Sequence, residues 1–145
     1  MRQILVVDDE AAIREVLMEF LTDHGYEPHG AESGPQALSL VKSIRPQIVL
    51  LDIAMPGMSG IEVLARLRKE APSAAVIMIS GHADHDLALK ALDLGAYDFI
   101  QKPLDFRYLE RTLLAKIVTL DSAEPEDSEE TRDDAASSRT GRRSR

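Results

Sequence analysis

Residues 48–52 have the sequence IVLLD, a run of four branched apolar residues that ends on an aspartate. Consecutive branched residues between polar or proline-containing segments predict a short strand that is buried on both faces. Similar runs predict buried strands at Ile4–Val7 and Val76–Ile79, and weaker patterns predict strands at Tyr97–Ile100 and Glu27–Ala31. Strands of this kind are typical of a parallel sheet with both faces covered.

Helical periodicity fills the intervals between these strands. Apolar residues recur three and four positions apart in five stretches, which predicts five amphipathic helices. The stretches are residues 13–21, 37–44, 61–67, 88–92 and 109–120. Strands and helices therefore alternate in a (βα)₅ pattern, which predicts an α/β fold with a doubly wound parallel sheet.

Turn and capping residues support these boundaries. Ser33–Gln36 and Ser59–Glu62 are predicted capping boxes, in which a serine accepts a hydrogen bond from the backbone N–H three residues later. Asp105 is the predicted N-cap of the last helix. Gly25 and Gly95 stand where helices need a left-handed residue in order to end.

Composition excludes several classes of protein. The chain has 145 residues and no cysteine, which excludes disulfides, thiolate metal sites and cysteine nucleophiles. The apolar run near the N-terminus is too short for a secretory signal, and the longest apolar run, Ala74–Ile79, is far below a membrane span. A net charge of −8 argues against direct nucleic-acid binding. We therefore expect a cytoplasmic protein that engages neither membrane nor nucleic acid.

The last part of the chain differs from the rest. Residues 121–145 are rich in Asp, Glu, Ser and Arg and have no apolar stripe that could offset the entropy of ordering them. We interpret residues 1–120 as one domain and residues 121–145 as a disordered tail or the start of a linker.

Polar side chains follow four of the predicted strands. The carboxyl ends of parallel strands meet at one edge of a sheet, where a reversal of strand order opens a crevice. The residues expected there are Asp8, Asp9 and Glu10 after the first strand, Asp52 after the third, Ser80 after the fourth and Lys102 after the fifth. The sequence thus brings carboxylates, a hydroxyl and an ammonium group to one small region.

Crowded carboxylates resist joint ionisation unless a cation compensates their charge. Mg²⁺ suits a site with few carboxylates, because it keeps bound waters and shares its other positions with phosphate oxygens. A carboxylate beside such an ion can act as a nucleophile toward a phosphoryl group and form an aspartyl phosphate. Lys102 would balance the phosphoryl oxygens and the Ser80 hydroxyl could donate to one of them. The predicted sheet edge is therefore suited to phosphoryl transfer.

Four motifs occur in order at these strand ends: Asp8-Asp9, Asp52 with Met55-Pro56-Gly57 behind it, Ser80-Gly81 and Lys102-Pro103. Together they resemble the signature of two-component response-regulator receiver domains, and the resemblance covers essentially all of residues 1–120. The segments MISGHA (78–83) and GAYDFIQKP (95–103) are most similar to receivers of nitrogen-regulatory-type transcriptional activators. Such activators normally carry an ATPase and a DNA-binding domain downstream.

The resemblance implies a flavodoxin-like sheet with strand order 2-1-3-4-5 and a function as a phosphoacceptor signalling switch. Asp52 would accept a phosphoryl group from a sensor histidine kinase or a small acyl phosphate. A Mg²⁺ site is implied in which Asp9 and Asp52 bind directly, Ala54 offers its backbone carbonyl, and Asp8 acts largely through water.

The same resemblance assigns Ser80 and Lys102 to the phosphoryl oxygens and implies a cis peptide bond between Lys102 and Pro103. Phe99 stands where the family has its switch aromatic, often a tyrosine, and its ring lacks the hydroxyl. The face of the fourth helix, fifth strand and fifth helix would change conformation and support a homodimer on phosphorylation. Catalysis would be limited to self-catalysed phosphotransfer and autodephosphorylation, so we do not expect an enzyme.

These residues also have other interpretations. A single aspartate after a strand is more often an N-cap than a catalytic group. A small phosphatase with an aspartate nucleophile would normally have a second acid two residues later, where this chain has Ala54. The sequence contains neither GxGxxG nor a Walker A motif for a nucleotide-binding module, and the complete motif set disfavours a degenerate, partner-binding receiver. His82 is interpreted as a solvated residue or, alternatively, as a modulator of acyl-phosphate lifetime.

Overall fold

The computed structural model describes residues 2–81 and 85–123 of the chain. Strands and helices alternate along it, as the sequence predicts. The strands are β1 (Gln3–Val7), β2 (Glu27–Ala31), β3 (Ile48–Asp52), β4 (Ala75–Ser80) and β5 (Asp98–Gln101). The helices are α1 (Ala11–Asp23), α2 (Gly34–Ile44), α3 (Gly60–Glu70), α4 (His85–Asp93) and α5 (Phe106–Ala123). The described residues divide into two compact units, one that ends at Phe106 and one that begins at Arg107.

All five strands form one parallel sheet in the order β2-β1-β3-β4-β5, which confirms the predicted doubly wound topology. From β1 the chain adds β2 on one side and then crosses to add β3 on the other, so the strand order reverses beside β1. The register pairs Val7 with Leu51, Asp52 with Ile79, and Ser80 with Gln101. The carboxyl ends of β1, β3, β4 and β5 therefore lie side by side at one edge.

The central strands form the core because both of their faces are covered. Every residue of β3 and β4 is buried, and so are Ile4–Val7 of β1. Each fully buried Ile, Leu or Val contributes roughly 1.5–3 kcal/mol relative to an exposed one. The edge strand β2 has the sequence EPHGA and buries only Ala31 fully. Its weak sequence pattern follows from that position, since an edge strand tolerates proline and glycine.

The α3 capping box is confirmed, whereas the predicted box at α2 is only half right. Ser59 Oγ accepts the Glu62 N–H at 3.3 Å and Glu62 Oε1 accepts the Ser59 N–H at 3.0 Å. Ser33 Oγ likewise accepts the Gln36 N–H, but Gln36 Oε1 accepts from the Glu32 N–H at 2.8 Å instead of from Ser33. Ser33 has φ −154° whereas Ser59 has φ −73°, so the N–H groups of the two serines have different orientations relative to the helices that follow them.

Residues with a left-handed backbone conformation follow three of the helices. Gly25 follows α1 with φ 87° and Gly95 follows α4 with φ 110°, as predicted. Arg45 ends α2 with φ 53°, which the sequence did not indicate, because a left-handed conformation is uncommon for a non-glycine residue.

Helix α5 begins directly after Asp105, the predicted N-cap, and continues through Ala123. Leu109, Thr112 and Leu113 are buried residues of this helix. No helix in the described part of the chain combines the length and apolar character needed to cross a membrane. The predictions made for His82 and for residues 124–145 lie outside the described residues.

Candidate metal and phosphoryl site

The loop after β1 holds three acidic residues in a defined conformation. The Asp8 N–H donates to the Ala31 carbonyl of β2 at 3.1 Å, so the loop continues the sheet by one bond. Asp8 Oδ1 accepts the Glu10 N–H at 2.8 Å. Asp8 is buried, whereas Asp9 and Glu10 are exposed. The loop therefore has one buried carboxylate behind two that solvent can reach.

Asp52 is buried at the end of β3 and is fixed from two sides. The Ile53 N–H donates to the Ile79 carbonyl at 2.9 Å, and the Gly60 N–H at the start of α3 donates to the Ile53 carbonyl at 2.9 Å. A Cβ atom at Gly60 would lie 2.2 Å from the Asp52 carbonyl oxygen, so only glycine permits this approach. Asp52 Oδ1 also accepts the Ala54 N–H at 3.3 Å. Sequence reasoning found Gly60 only as part of a cap and missed its contact with Asp52.

Lys102 joins the acidic residues from the end of β5. Its N–H donates to the Ser80 carbonyl at 2.7 Å, which fixes its backbone beside the end of β4. Lys102 Nζ lies 3.7 Å from Asp52 Oδ1, 3.9 Å from Asp8 Oδ2 and 4.0 Å from Glu10 Oε1. The predicted cis peptide bond between Lys102 and Pro103 is confirmed. One ammonium group therefore faces three carboxylates.

The carboxylates are also close enough to share a cation. Oxygen atoms of Asp8, Asp9 and Asp52 all lie within 4.8 Å of one another. Among the described residues, Asp8 Oδ2 is buried and has no hydrogen-bond partner, and Lys102 approaches it only to 3.9 Å. Such an oxygen costs free energy unless a cation or a donor satisfies it. An oxygen-only set of three carboxylates fits a hard divalent cation such as Mg²⁺.

The two buried carboxyl groups have raised pKa values for a physical reason. Burial, and after it the charge of Asp8, raises the pKa of Asp52 from 3.8 to about 6. Lys102 and the Ala54 N–H lower it, but not enough to offset these effects. Burial also raises the pKa of Asp8, against the hydrogen bond from Glu10 and the charge of Lys102. In the absence of a cation, both buried carboxyl groups therefore hold a proton more readily than a free carboxyl group does.

The structure brings together most of the residues selected from the sequence. Asp8, Asp9, Asp52 and Lys102 form one cluster, and buried Ser80 adjoins it through its backbone bond to Lys102. Phe99 is half-buried on β5 and its ring makes an edge contact with His85, the first residue of α4, at a centroid distance of 6.4 Å.

A parallel sheet of this order, with acidic residues and a lysine at its carboxyl edge, defines a receiver-type α/β protein. A family model described as the response regulator receiver domain matches residues 4–114. The chain belongs to this family, and the resemblance inferred from the sequence motifs is confirmed.

Two curated relatives and one solved structure show the extent of the similarity. Regulatory protein AtoC of Escherichia coli (strain K12) is 40% identical over 103 residues, covering 71% of this chain and 22% of AtoC. Sporulation initiation phosphotransferase F of Bacillus subtilis (strain 168) is 39% identical over 103 residues, covering 71% of this chain and 83% of that protein. The receiver domain of NtrX from Brucella abortus has a TM-score of 0.73 and 37% identity, covering 83% of this chain and 99% of that structure. The chain thus spans less than a quarter of AtoC, and a nitrogen-regulatory receiver is among its relatives, as predicted.

The pKa of Asp52 predicts how metal-free stability depends on pH. The pKa is about 6 in the folded chain and 3.8 ordinarily, so folding favours the protonated carboxyl group. This contribution to stability is fully present below pH 3.8 and is lost as the pH rises through about 6. We expect Asp52→Asn, unfolded with urea in EDTA, to be more stable than wild type by up to about 3 kcal/mol near pH 8. The difference should be smaller near pH 5.

The matched control is Asp23→Asn, which makes the same chemical change at an exposed residue. Asp23 is the last residue of α1, at the end of the helix away from the acidic loop. Its stability should follow the wild type at both pH values. A stability difference between Asp52→Asn and wild type that does not grow with pH would contradict the electrostatic description of the site.

Proposed function

We propose that this chain is a phosphoacceptor signalling switch in which Asp52 receives a phosphoryl group from a sensor histidine kinase or a small acyl phosphate. Mg²⁺ would be held by Asp8, Asp9, Asp52 and the backbone carbonyl of Ala54. The position of Asp52 carries the proposal: its Oδ1 lies 3.7 Å from Lys102 Nζ, and its carboxylate has an oxygen within 4.8 Å of oxygens of Asp8 and Asp9.

The reaction moves one phosphoryl group and balances without an oxidant or reductant. An oxygen of the ionised Asp52 carboxylate forms a bond to phosphorus. The bond from phosphorus to the imidazole nitrogen of a phosphohistidine, or to the acyl oxygen of a small donor, breaks, and the donor keeps that electron pair. Water later attacks the aspartyl phosphate and returns the Asp52 carboxylate and inorganic phosphate.

The chain's own residues position and stabilise this transfer. The hydrogen bond from the Lys102 N–H to the Ser80 carbonyl holds the Lys102 backbone beside Asp52. The Lys102 ammonium group, which is paired with Asp52, would then pair with an oxygen of the phosphoryl group on Asp52. The Ser80 hydroxyl, at the end of the neighbouring strand, would donate to another phosphoryl oxygen. When bound, Mg²⁺ supplies neutralisation of the charge that the carboxylates and the phosphoryl group bring together.

The switch would follow from the charge added at Asp52. A phosphoryl group at this edge favours states in which Ser80 and Lys102 are drawn toward it, and so biases a two-state segment that includes α4 and β5. The contact between Phe99 of β5 and His85 of α4 supports this proposal, since it links the two elements. Phe99 would couple the site to the output through packing alone.

We propose that catalysis stops at the chain's own phosphotransfer and autodephosphorylation. Position 54, where an aspartate-nucleophile phosphatase has its general acid, is an alanine whose N–H donates to Asp52. Residues 1–120 would act as the receiver domain and residues 121–145 as a tail or a linker to an output domain, as in longer regulators.

Incubation with acetyl phosphate and Mg²⁺, followed by intact mass measurement, tests the proposal directly. The wild-type chain should gain one phosphoryl group and lose it again over time. Asp52→Asn should gain none, because its amide is not a nucleophile toward phosphorus, and Asp23→Asn should behave as wild type. An equal gain by Asp52→Asn and the wild type would contradict the assignment of Asp52, and no gain by any variant would contradict the function.

Phosphorylation is also expected to promote a homodimer. Leu87 and Leu89 of α4, and Leu94 and Tyr97 just after it, are large apolar residues that are 39–47% exposed, and burying such residues between two chains favours association. Sedimentation with and without acetyl phosphate should show a dimer only with the donor. Leu89→Gln should remain monomeric under both conditions while still accepting the phosphoryl group, and a wild-type monomer under both conditions would contradict this prediction.

A further inference from the structure

Arg14, on the first turn of α1, reaches back to the loop that holds the acidic residues. Its Nη1 donates to the Asp8 backbone carbonyl at 2.8 Å. Its own N–H donates to the Glu10 carbonyl at 3.1 Å, which is the first hydrogen bond of the helix. Arg14 therefore holds both ends of the Asp8–Glu10 loop, through its guanidinium group and its backbone.

The carbonyl that Arg14 contacts belongs to the peptide unit between Asp8 and Asp9. A peptide unit is planar, so fixing its oxygen also fixes the direction in which the Asp9 backbone continues. The Asp8 N–H is held by Ala31 and Asp8 Oδ1 is held by the Glu10 N–H. With these three bonds made, Asp8 Oδ2 is left as the buried oxygen without a hydrogen bond among the residues described.

Gly30 of the edge strand β2 provides room for this contact. A Cβ atom there would lie 3.6 Å from Cδ and 3.7 Å from Nε of Arg14, and 3.0 Å from Sδ of Met18. The stem of Arg14 thus passes across Gly30 on its way from α1 to the Asp8 carbonyl. A larger residue on β2 would compete with the two α1 side chains for this space.

We propose that Arg14 is a positioning residue that holds the Asp8–Asp9 peptide so that both carboxylates face the cation site. The inference rests on the proposed function, because it concerns affinity for the same Mg²⁺. Arg14 acts through the backbone of Asp8 and touches neither the metal nor the phosphoryl group. Loss of the Arg14 side chain would remove none of the three carboxylates. It would let the Asp8–Glu10 loop adopt orientations that do not bind Mg²⁺, which lowers the apparent affinity for Mg²⁺.

The test compares Arg14→Ala and Arg14→Lys with a control, Arg66→Ala, which removes the same side chain from an exposed position on α3. Calorimetric titration with Mg²⁺ alone should show affinity weakened about tenfold in Arg14→Ala, equivalent to about 1.4 kcal/mol. Arg14→Lys keeps a charged donor and should recover part of the affinity. Arg66→Ala should bind Mg²⁺ as the wild type does.

A second measurement separates positioning from general destabilisation. Amide hydrogen exchange in metal-free protein should be faster at Glu10 in Arg14→Ala and unchanged at Ile53, whose N–H is bonded to β4. With acetyl phosphate, the Mg²⁺ concentration for half-maximal phosphorylation should rise about tenfold while the rate at saturating Mg²⁺ stays near that of the wild type.

Three outcomes would overturn the inference. Wild-type Mg²⁺ affinity in Arg14→Ala would remove the role of Arg14 and leave the proposed function intact. Equal acceleration of exchange at Glu10 and Ile53 would show a general loss of stability instead of positioning. Absence of Mg²⁺ binding by the wild-type chain would overturn the proposed metal site itself, and this role with it.

Discussion

One carboxylate oxygen from each of Asp8, Asp9 and Asp52 lies within 4.8 Å of the other two, and the crowding of these charges in a partly buried place is the constraint on which the site depends. Two of them are buried, so neither water nor hydrogen bonds compensate their charge fully. Lys102 pairs with Asp8, Asp52 and Glu10, and still leaves an excess of negative charge. The folded chain therefore tolerates an arrangement that favours protonation of Asp52 or capture of a cation.

The sheet holds this unfavourable arrangement in place. Strands β1, β3 and β4 are buried along most of their length. Their register places Asp8, Asp52 and Ser80 at the same edge of the sheet. Gly60 closes α3 against the Asp52 backbone, and the Lys102 backbone is bonded to Ser80. Stability supplied by the apolar core thus keeps together charged groups that would otherwise separate, which is a common cost of a functional site.

Much of this could be predicted from the sequence, for reasons that differ between elements. The strands β1, β3 and β4 are clear because burial on both faces leaves an unbroken apolar run, while β2 is weak because it lies at the edge. Site residues that directly follow a strand are predictable, since parallel strands end at one edge. Contacts that depend on three-dimensional packing or on local backbone angles are not predictable in this way. Examples are the approach of Gly60 to Asp52, the hydrogen bond from the Glu32 N–H to Gln36, and the path of Arg14 across Gly30.

If the carboxylate cluster needs a divalent cation, the free energy of unfolding must depend on the Mg²⁺ concentration. Urea unfolding near pH 8 should show wild-type stability rising with Mg²⁺ concentration, by about 1.4 kcal/mol per tenfold increase above the dissociation constant. Asp9→Asn should lose most of this dependence, because the exposed ligand is gone. A wild-type stability that does not change with Mg²⁺, or an equal rise in Asp9→Asn, would show that these carboxylates do not form a cation site.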